Sequence, residues 1–175
     1  MRHLTRRNAL AVLAAPAALA ATEALGAAPK PTFTLLLVND IYKMSGEKGR
    51  GGYGRVAAIA KAERARGAPL LFAHAGDCYS PSLMSGFDQG AHIVELQNLI
   101  GLDVFVPGNH EFDFGKENYA KRIAEQKYPT FAANLRDAAG NKLPGHEDSR
   151  IFELGGVKVG VVGLALETTP QMSSP

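Results

Sequence analysis

The hexapeptide Gly108–Asp113 brings three kinds of chemically active side chain together in a short stretch. Asn109 offers a neutral oxygen ligand, His110 a proton or a ring nitrogen, and Asp113 can orient that imidazole. The stretch follows an apolar run, Val104–Val106, so it should begin where a buried strand ends. Open α/β sheets place their chemistry in the crevice beyond their strand ends. The hexapeptide is therefore a candidate active site, and a polar turn that caps the next helix is the alternative.

Two further apolar runs each lead into an aspartate. Asp40 follows Phe33–Val38, and Asp77 follows Leu70–Ala73. Because parallel strands bring their carboxyl ends to one edge of a sheet, we expect Asp40, Asp77 and Asn109 to converge. Such oxygen ligands suit Mg, Mn, Zn or Fe, and the sequence does not choose among these metals. A carboxylate shared by two ions would let them bind a phosphate and generate hydroxide together. Each aspartate taken alone could instead be a solvated turn residue.

The elements that must position these residues alternate along the chain. Apolar runs predict strands at 33–38, 70–73, 104–106 and 130–133, and the segments between them predict helices at 54–66, 91–100 and 116–126. Gly155-Gly156 predicts a tight turn between strands at 151–154 and 157–164. The order β-α-β-α-β-α-β plus a hairpin predicts an α/β fold with a largely parallel sheet. The continuous apolar character of Phe33–Val38 also predicts a first strand buried on both faces.

Residues 1–28 have the composition of an export leader. Arg2, Arg6 and Arg7 precede an apolar segment, residues 9–21, that is too short to span a bilayer. Arg6-Arg7 resembles a twin-arginine export motif, and an ordinary secretory leader is the alternative. We therefore expect a periplasmic or secreted protein with no stable membrane anchor, in which residues 29–175 belong to one domain.

The basicity of the chain comes from this leader. Removing residues 1–20 deletes three arginines and no acidic residue, so the formal charge falls from +2 to −1. The charge therefore gives no reason to expect a nucleic-acid polymer as a partner. Cys78 is the only cysteine, so an intramolecular disulfide cannot form even in an oxidising compartment.

A glycine-rich segment, Gly49–Gly54, offers a competing interpretation, because its spacing matches the motif of dinucleotide-binding folds. That motif must form the turn directly after a strand. Here ten residues separate Val38 from Gly49, so we do not expect a dinucleotide site.

Five blocks together resemble the exported 5′-nucleotidase group of calcineurin-like metallophosphoesterases. They are Asn39-Asp40, Gly76-Asp77, Gly108–Asp113, Ala133-Asn134-Leu135 and Gly163-Leu164, and they extend over essentially the whole chain after the leader. The resemblance implies a four-layer α/β/β/α sandwich and two divalent ions. It implies that Asp40 binds the first ion, Asp77 bridges the two, and Asn109 binds the second. His110 would stabilise charge on the phosphoryl group or protonate the leaving oxygen, and Asp113 would orient its ring.

The chain departs from the family's pattern in two places. Tyr42 stands where the family usually has a metal-binding histidine. Because a neutral tyrosine is a poor ligand, Tyr42 is a candidate altered ligand and we expect a weaker or altered first site. The family takes its later histidine ligands and its nucleobase-stacking C-terminal domain from sequence beyond the region that matches residues 164–170. His146 precedes the hairpin and does not replace them. Residues 29–175 are therefore interpreted as an incomplete metallophosphoesterase domain.

The predicted activity is hydrolysis of a phosphate-ester small molecule, a nucleotide by the resemblance, through two-metal hydroxide attack on phosphorus. This chain would carry the N-terminal half of the site, with the rest coming from a missing C-terminal half or a partner chain. Whether the chain alone is an enzyme stays open, because the later metal-ligand histidines are absent from it. The alternative is a non-catalytic periplasmic protein that is a truncated metal-binding chain or needs a partner.

Overall fold

The fold is built on a parallel sheet, seen in a computed structural model that describes residues 30–173. The predicted export leader, residues 1–28, lies outside the described residues. From Thr32 onward the described chain belongs to one compact unit. Within residues 30–173, no helix is both long enough and apolar enough to cross a membrane.

The elements follow the alternating order that the sequence predicts. They are β1 (Thr34–Val38), α1 (Tyr53–Ala65), β2 (Leu70–His74), α2 (Ser85–Asp88), α3 (Ala91–Ile100), β3 (Val104–Phe105), α4 (Gly115–Glu125), β4 (Thr130–Phe131), β5 (His146–Glu147), β6 (Ser149–Leu154), β7 (Val157–Val162) and α5 (Thr169–Met172). A 3₁₀ turn, His110–Phe112, precedes α4. Every predicted helix and strand is confirmed to within two residues at each end. The short elements α2, β5 and α5 were not predicted.

Strands β1 to β5 form one sheet in sequential order, and every neighbouring pair is parallel. The carboxyl ends of β1, β2 and β3 therefore lie side by side at one edge. Strands β6 and β7 form a separate antiparallel pair in which Leu154 is opposite Val157. The two residues between them, Gly155 and Gly156, have φ of 59° and 82°, as the two-residue turn predicted from the sequence requires.

The two faces of the parallel sheet are covered differently. On one face the helices pack over a core that includes Phe72, Phe105 and Ile93. On the other face the β6–β7 hairpin packs Leu154 and its neighbours against the sheet residues Leu71, Ala73, Val104 and Phe131. The described residues thus supply three successive layers, which are helices, parallel sheet and hairpin. The predicted α/β class with a parallel sheet is confirmed.

The prediction that the first strand is buried on both faces is wrong. Leu35 and Leu37 in β1 are 56% and 59% exposed. They pair with Leu71 and Ala73, so they lie on the hairpin face of the sheet. The hairpin packs on the inner strands of that face and leaves the edge strand β1 open.

The loop between β4 and β6 contains one short strand. Within it, β5 pairs with β4, and Thr130 is opposite His146. His146 is buried, and its Nε2 lies 2.6 Å from the hydroxyl of Tyr119 in α4. This bond ties the loop to the helical layer.

Candidate functional site

The three predicted metal ligands each follow a strand of the parallel sheet. Asp40 lies after β1, Asp77 after β2 and Asn109 after β3. Hydrogen bonds join their loops, since the N–H of Asp40 donates to the carbonyl of Gly76 at 3.1 Å and the N–H of His110 donates to Asp77 Oδ1 at 3.1 Å. The predicted convergence of these loops at one sheet edge is therefore seen, while their ligand roles stay predictions.

Both aspartates have a left-handed backbone conformation. The φ angle is 55° at Asp40 and 56° at Asp77. A residue with a Cβ pays about 1 kcal/mol or more for this conformation, so surrounding contacts must hold it in place. The contacts that hold Asp77 differ in kind from those that hold Asp40.

Glu111 supplies the contacts around Asp77. Its side chain is fully buried. Its Oε2 accepts the backbone N–H groups of Gly108 at 2.6 Å and Asp77 at 2.9 Å. Its Oε1 accepts those of Cys78 at 2.8 Å and Tyr79 at 3.2 Å. Burial raises the pKa of Glu111, and the four N–H donors act against that rise. One carboxylate thus joins the loop after β3 to the loop after β2.

Two glycines allow these loops to lie in direct contact. Gly76 has φ of 78°, and a Cβ built there would lie 2.2 Å from the backbone nitrogen of Gly108. A Cβ at Gly108 would lie 2.1 Å from Asp77 Oδ1. Neither position has room for a side chain unless the neighbouring loop moves.

His74, the last residue of β2, holds the same loop from inside. Its Nδ1 accepts the N–H of Gly76 at 3.1 Å, which places the ring proton on Nε2. That Nε2 is buried and has no hydrogen-bond partner among the described residues. Burial lowers the pKa of His74 to about 4, so the ring is neutral at pH 7.

His110 is the side chain of this edge that is best placed to exchange a proton. Its Nδ1 lies 2.7 Å from Asp113 Oδ2, so the Nδ1–H donates to that carboxylate and Nε2 is left for a substrate. Partial burial opposes a charge on the ring, but the hydrogen bond and the negative charge of Asp113 outweigh it and raise the pKa of His110. The predicted catalytic pair is therefore already in contact.

Asp40 is held by its own neighbours in sequence. The side-chain amide of Asn39 donates to Asp40 Oδ2, and the hydroxyl of Tyr42 donates to Oδ1 at 2.7 Å. Burial and the hydrogen bond to Asp40 raise the pKa of Tyr42, which keeps the phenol neutral. The Tyr42 ring also meets the His110 ring edge-on, with centroids 5.9 Å apart. Tyr42 is thus a hydrogen-bond donor to Asp40 in this structure.

Asp77 and Asn109 line a cavity of about 470 Å³, together with residues 164–167 beyond β7. The side-chain amide of Asn109 donates to the carbonyl of Met172 at 3.0 Å, which leaves its amide oxygen for an ion. Of the two carboxylate oxygens of Asp77, only Oδ1 has a hydrogen-bond partner in the described part of the chain. Both side chains therefore offer a free oxygen to the same space.

Some, but not all, of these oxygen atoms are free to act as ligands of a divalent cation. Asp77 and Asn109 fit it as they stand, whereas at Asp40 an ion would compete with the hydrogen bonds from Asn39 and Tyr42. Among residues 30–173, no group of three or more His, Cys, Asp and Glu side chains is arranged to hold a metal. The structure thus assembles a partial ligand set of hard oxygen atoms, which is the type that Mg and Mn prefer.

Sequence reasoning did not single out Glu111. Its place inside the hexapeptide was the only signal, because three of its backbone partners come from 32 to 34 residues earlier in the chain. Asn134, which belongs to the fourth block of the family resemblance, holds the segment beyond β7. It exchanges two hydrogen bonds with the backbone of Ala165, at 2.8 and 2.9 Å, and so fixes the segment that lines the cavity.

The family model described as calcineurin-like phosphoesterase matches residues 33–169. Snake venom 5′-nucleotidase from Gloydius brevicauda is 29% identical over 161 residues, a match that covers 81% of this chain and 27% of the relative. Both matches include β1 to β4 and the loops that follow them.

Two solved structures extend the likeness to the fold. The NAD nucleotidase of Haemophilus influenzae matches with a TM-score of 0.72 at 26% identity, covering 82% of this chain and 28% of that one. A 5′-nucleotidase precursor from Thermus thermophilus matches with a TM-score of 0.70 at 27% identity, covering 82% of this chain and 30% of that one. The chain thus spans less than a third of the length of each of these three proteins.

Proposed function

Because the chain belongs to the calcineurin-like phosphoesterase family, we propose that it supplies the N-terminal half of the site of a phosphoester hydrolase of the 5′-nucleotidase type. The family is metal-dependent. The proposed substrate is a phosphate-ester small molecule, a nucleotide, since its relatives are named for 5′-nucleotides and for NAD. The predicted leader and the venom relative support a periplasmic or secreted location.

The observation that carries this proposal is the geometry of the loops after β2 and β3. There Asp77 and Asn109 face one cavity, and the adjoining His110 is already hydrogen-bonded to Asp113. In the proposal Asp40 would hold one divalent ion, Asn109 would hold a second, and Asp77 would contribute a carboxylate to both. Two such ions, when bound, supply charge neutralisation at the phosphate and an activated water.

His110 and Asp113 handle the proton in this scheme. Because Asp113 accepts the Nδ1–H of His110, the opposite ring nitrogen, Nε2, is oriented for a substrate oxygen. The raised pKa of His110 favours the protonated ring, which can stabilise phosphoryl charge or protonate the leaving oxygen. The later metal ligands would come from further sequence or from a partner chain.

A chimaera tests the proposal. Residues 30–175 joined to the remaining C-terminal portion of the Thermus thermophilus relative should release phosphate from AMP when Mn²⁺ is present. His110→Gln should lower this rate by roughly 10²-fold or more, the usual contribution of a positioned proton donor. His92→Gln is the matched control, since His92 lies 2.8 Å from Asp88 in another histidine–aspartate pair. A folded, Mn²⁺-binding chimaera that hydrolyses no phosphoester would contradict the proposal.

The isolated 175-residue chain should hydrolyse a generic phosphomonoester only weakly, because residues 30–173 bring together only a partial ligand set. Purified chain incubated with para-nitrophenyl phosphate and Mn²⁺ measures this directly. Strong metal-dependent turnover that His110→Ala abolishes would show that the chain is sufficient by itself.

A second candidate function, a non-catalytic protein that needs a partner chain, is favoured by one observation. Apolar side chains on the hairpin side of the molecule stay exposed, among them Leu35, Leu37, Ile151 and Val162. Large apolar side chains that stay exposed can mark a surface that another protein chain covers. If the purified chain is a stable monomer that binds no hydrophobic dye, a function that needs a partner chain is ruled out. Self-association that Leu35→Ser and Leu37→Ser weaken would support it.

A further inference from the structure

The loops after β2 and β3 exchange carboxylates. Glu111, from the loop after β3, accepts the N–H groups of Asp77, Cys78 and Tyr79 in the loop after β2. In return Asp77 accepts the N–H of His110, the residue directly before Glu111. Each loop thus holds the other through a side-chain carboxylate bound to backbone N–H groups.

We propose that Glu111 is a positioning residue that sets the Asp77 carboxylate against Asn109 and His110. This inference rests on the proposed function, because it gives Asp77 the role of a metal ligand. Glu111 is fully buried and is not among the residues that line the cavity beside Asp77 and Asn109, so it acts on the ligands without touching an ion itself.

The left-handed backbone of Asp77 makes this support necessary. With φ of 56°, Asp77 occupies a conformation that its own side chain disfavours. Its N–H is bound to Glu111 Oε2 at 2.9 Å, and the next two N–H groups are bound to Oε1. If these three bonds were lost, the loop could relax and carry the carboxylate away from the His110 N–H.

The test uses the N–H of His110, which Glu111 does not touch. In the full chain without metal, Glu111→Gln replaces one acceptor oxygen by a donor while the shape is kept. Amide hydrogen exchange at His110 should then accelerate about tenfold or more, because the Asp77 acceptor has moved. Thr130→Val is the control, since Thr130, which lies in β4 outside the site, donates a part-buried hydrogen bond of 2.6 Å to Gln126. When the two variants are compared under conditions of equal global stability, Thr130→Val should leave the amide exchange rate of His110 unchanged.

Mn²⁺ binding, followed by titration calorimetry, gives the second readout. Affinity should fall about tenfold or more in Glu111→Gln and stay the same in Thr130→Val, as for other residues that orient a ligand. Unchanged His110 exchange in a folded Glu111→Gln variant would overturn the inference. Wild-type chain that binds no Mn²⁺ would count against the proposed function alone, because His110 exchange still decides the positioning role.

Glu111→Asp covers the case in which the glutamine variant does not fold. It keeps the negative charge but withdraws the carboxylate from the N–H groups that it binds. A positioning role predicts fast His110 exchange and weak Mn²⁺ binding here too. Exchange and affinity like those of the wild type would show that charge alone suffices, and the inference would be wrong.

Discussion

Two regions of the site hold an aspartate in the same left-handed conformation by different means. The inner half consists of the loops after β2 and β3, where Asp77 is fixed by the buried Glu111 and by backbone contact between the loops. The outer half is the loop after β1, where Asp40 accepts hydrogen bonds from Asn39 and Tyr42, its own near neighbours. The contacts around Asp77 in the inner half are therefore largely shielded from water, whereas the side-chain contacts of Asp40 in the outer half are local and lie at the surface.

This difference determines which measured property should change when each half of the site is disturbed. Contacts of the inner half are buried or part-buried and join the loops after two strands of the sheet, so their loss should lower the free energy of unfolding. Contacts of the outer half lie at the surface, where water or an ion can replace them at a net cost of about 1 kcal/mol each. Changes in the inner half should therefore appear in stability, and changes in the outer half in ligand binding.

The largest expected effect comes from Gly76→Ala in the inner half. Gly76 has φ of 78°, and a Cβ there would meet Gly108 backbone nitrogen at 2.2 Å. Strain and overlap together should lower the free energy of unfolding by about 3–4 kcal/mol. Urea unfolding of the wild type and the variant measures this loss of free energy.

Gly67→Ala is the matched control for that variant. Gly67 has nearly the same φ, 81°, but a Cβ there would meet nothing within 4 Å. It should therefore cost about 1 kcal/mol, which is the conformational strain alone. Equal losses in Gly67→Ala and Gly76→Ala would show that the two inner loops are not in contact in solution.

The pH dependence of stability should also distinguish the two halves of the site. The inner half is held by His74, a buried neutral histidine at the end of β2. The pKa of His74 is lowered by burial from 6.5 to about 4 in the folded chain. Between these values the unfolded chain binds a proton that the folded chain does not, so stability falls as pH falls from 6.5 to 4. The loss should reach about 3 kcal/mol, with none further from His74 at lower pH.

Urea unfolding of wild type and His74→Asn across about pH 4 to 8 isolates this contribution. The variant cannot titrate, so its profile should be flatter between pH 6.5 and 4. His146, whose pKa is also lowered by burial, remains in both proteins and cancels in the difference. Identical profiles would mean that the pKa of His74 is the same in the folded and unfolded chain, so that burial does not lower it.

The sequence predicted the elements well because the signals for them are local. Apolar runs, the Gly155-Gly156 turn and the order of strands and helices depend on residues that are close together in the chain. The convergence of Asp40, Asp77 and Asn109 followed from a single topological rule, that parallel strands share an edge. The spacing of His110 and Asp113 within one turn was likewise visible in the sequence.

What the sequence could not predict depends on contacts between distant residues. Glu111 looks like any other acid until the N–H groups after β2 are placed around it. The exposure of Leu35 and Leu37 depends on how far the hairpin extends across the sheet, which no local pattern encodes. The donor role of Tyr42 depends on the direction of its side chain, so the sequence could only mark it as a candidate altered ligand.

The smallest expected effect is in the outer half, from Tyr42→Phe. Removing the hydroxyl frees Asp40 Oδ1, the oxygen that it engages at 2.7 Å. Stability should fall by about 1 kcal/mol or less, because the site is at the surface, where water can replace the lost bond. Mn²⁺ affinity should rise about fivefold, since an ion would no longer compete with a hydrogen bond of about 1 kcal/mol.

Tyr119→Phe is the control for this variant, because it removes another tyrosine hydroxyl bond, 2.6 Å to His146, outside both halves. It should lower stability without changing Mn²⁺ affinity, which reverses the pattern expected of Tyr42→Phe. A fall in affinity in Tyr42→Phe would identify Tyr42 as a ligand after all, because the phenol oxygen would then be contributing to the ion. A large loss of stability would instead place Asp40 and its neighbours in the core, and the distinction between the two halves would not hold.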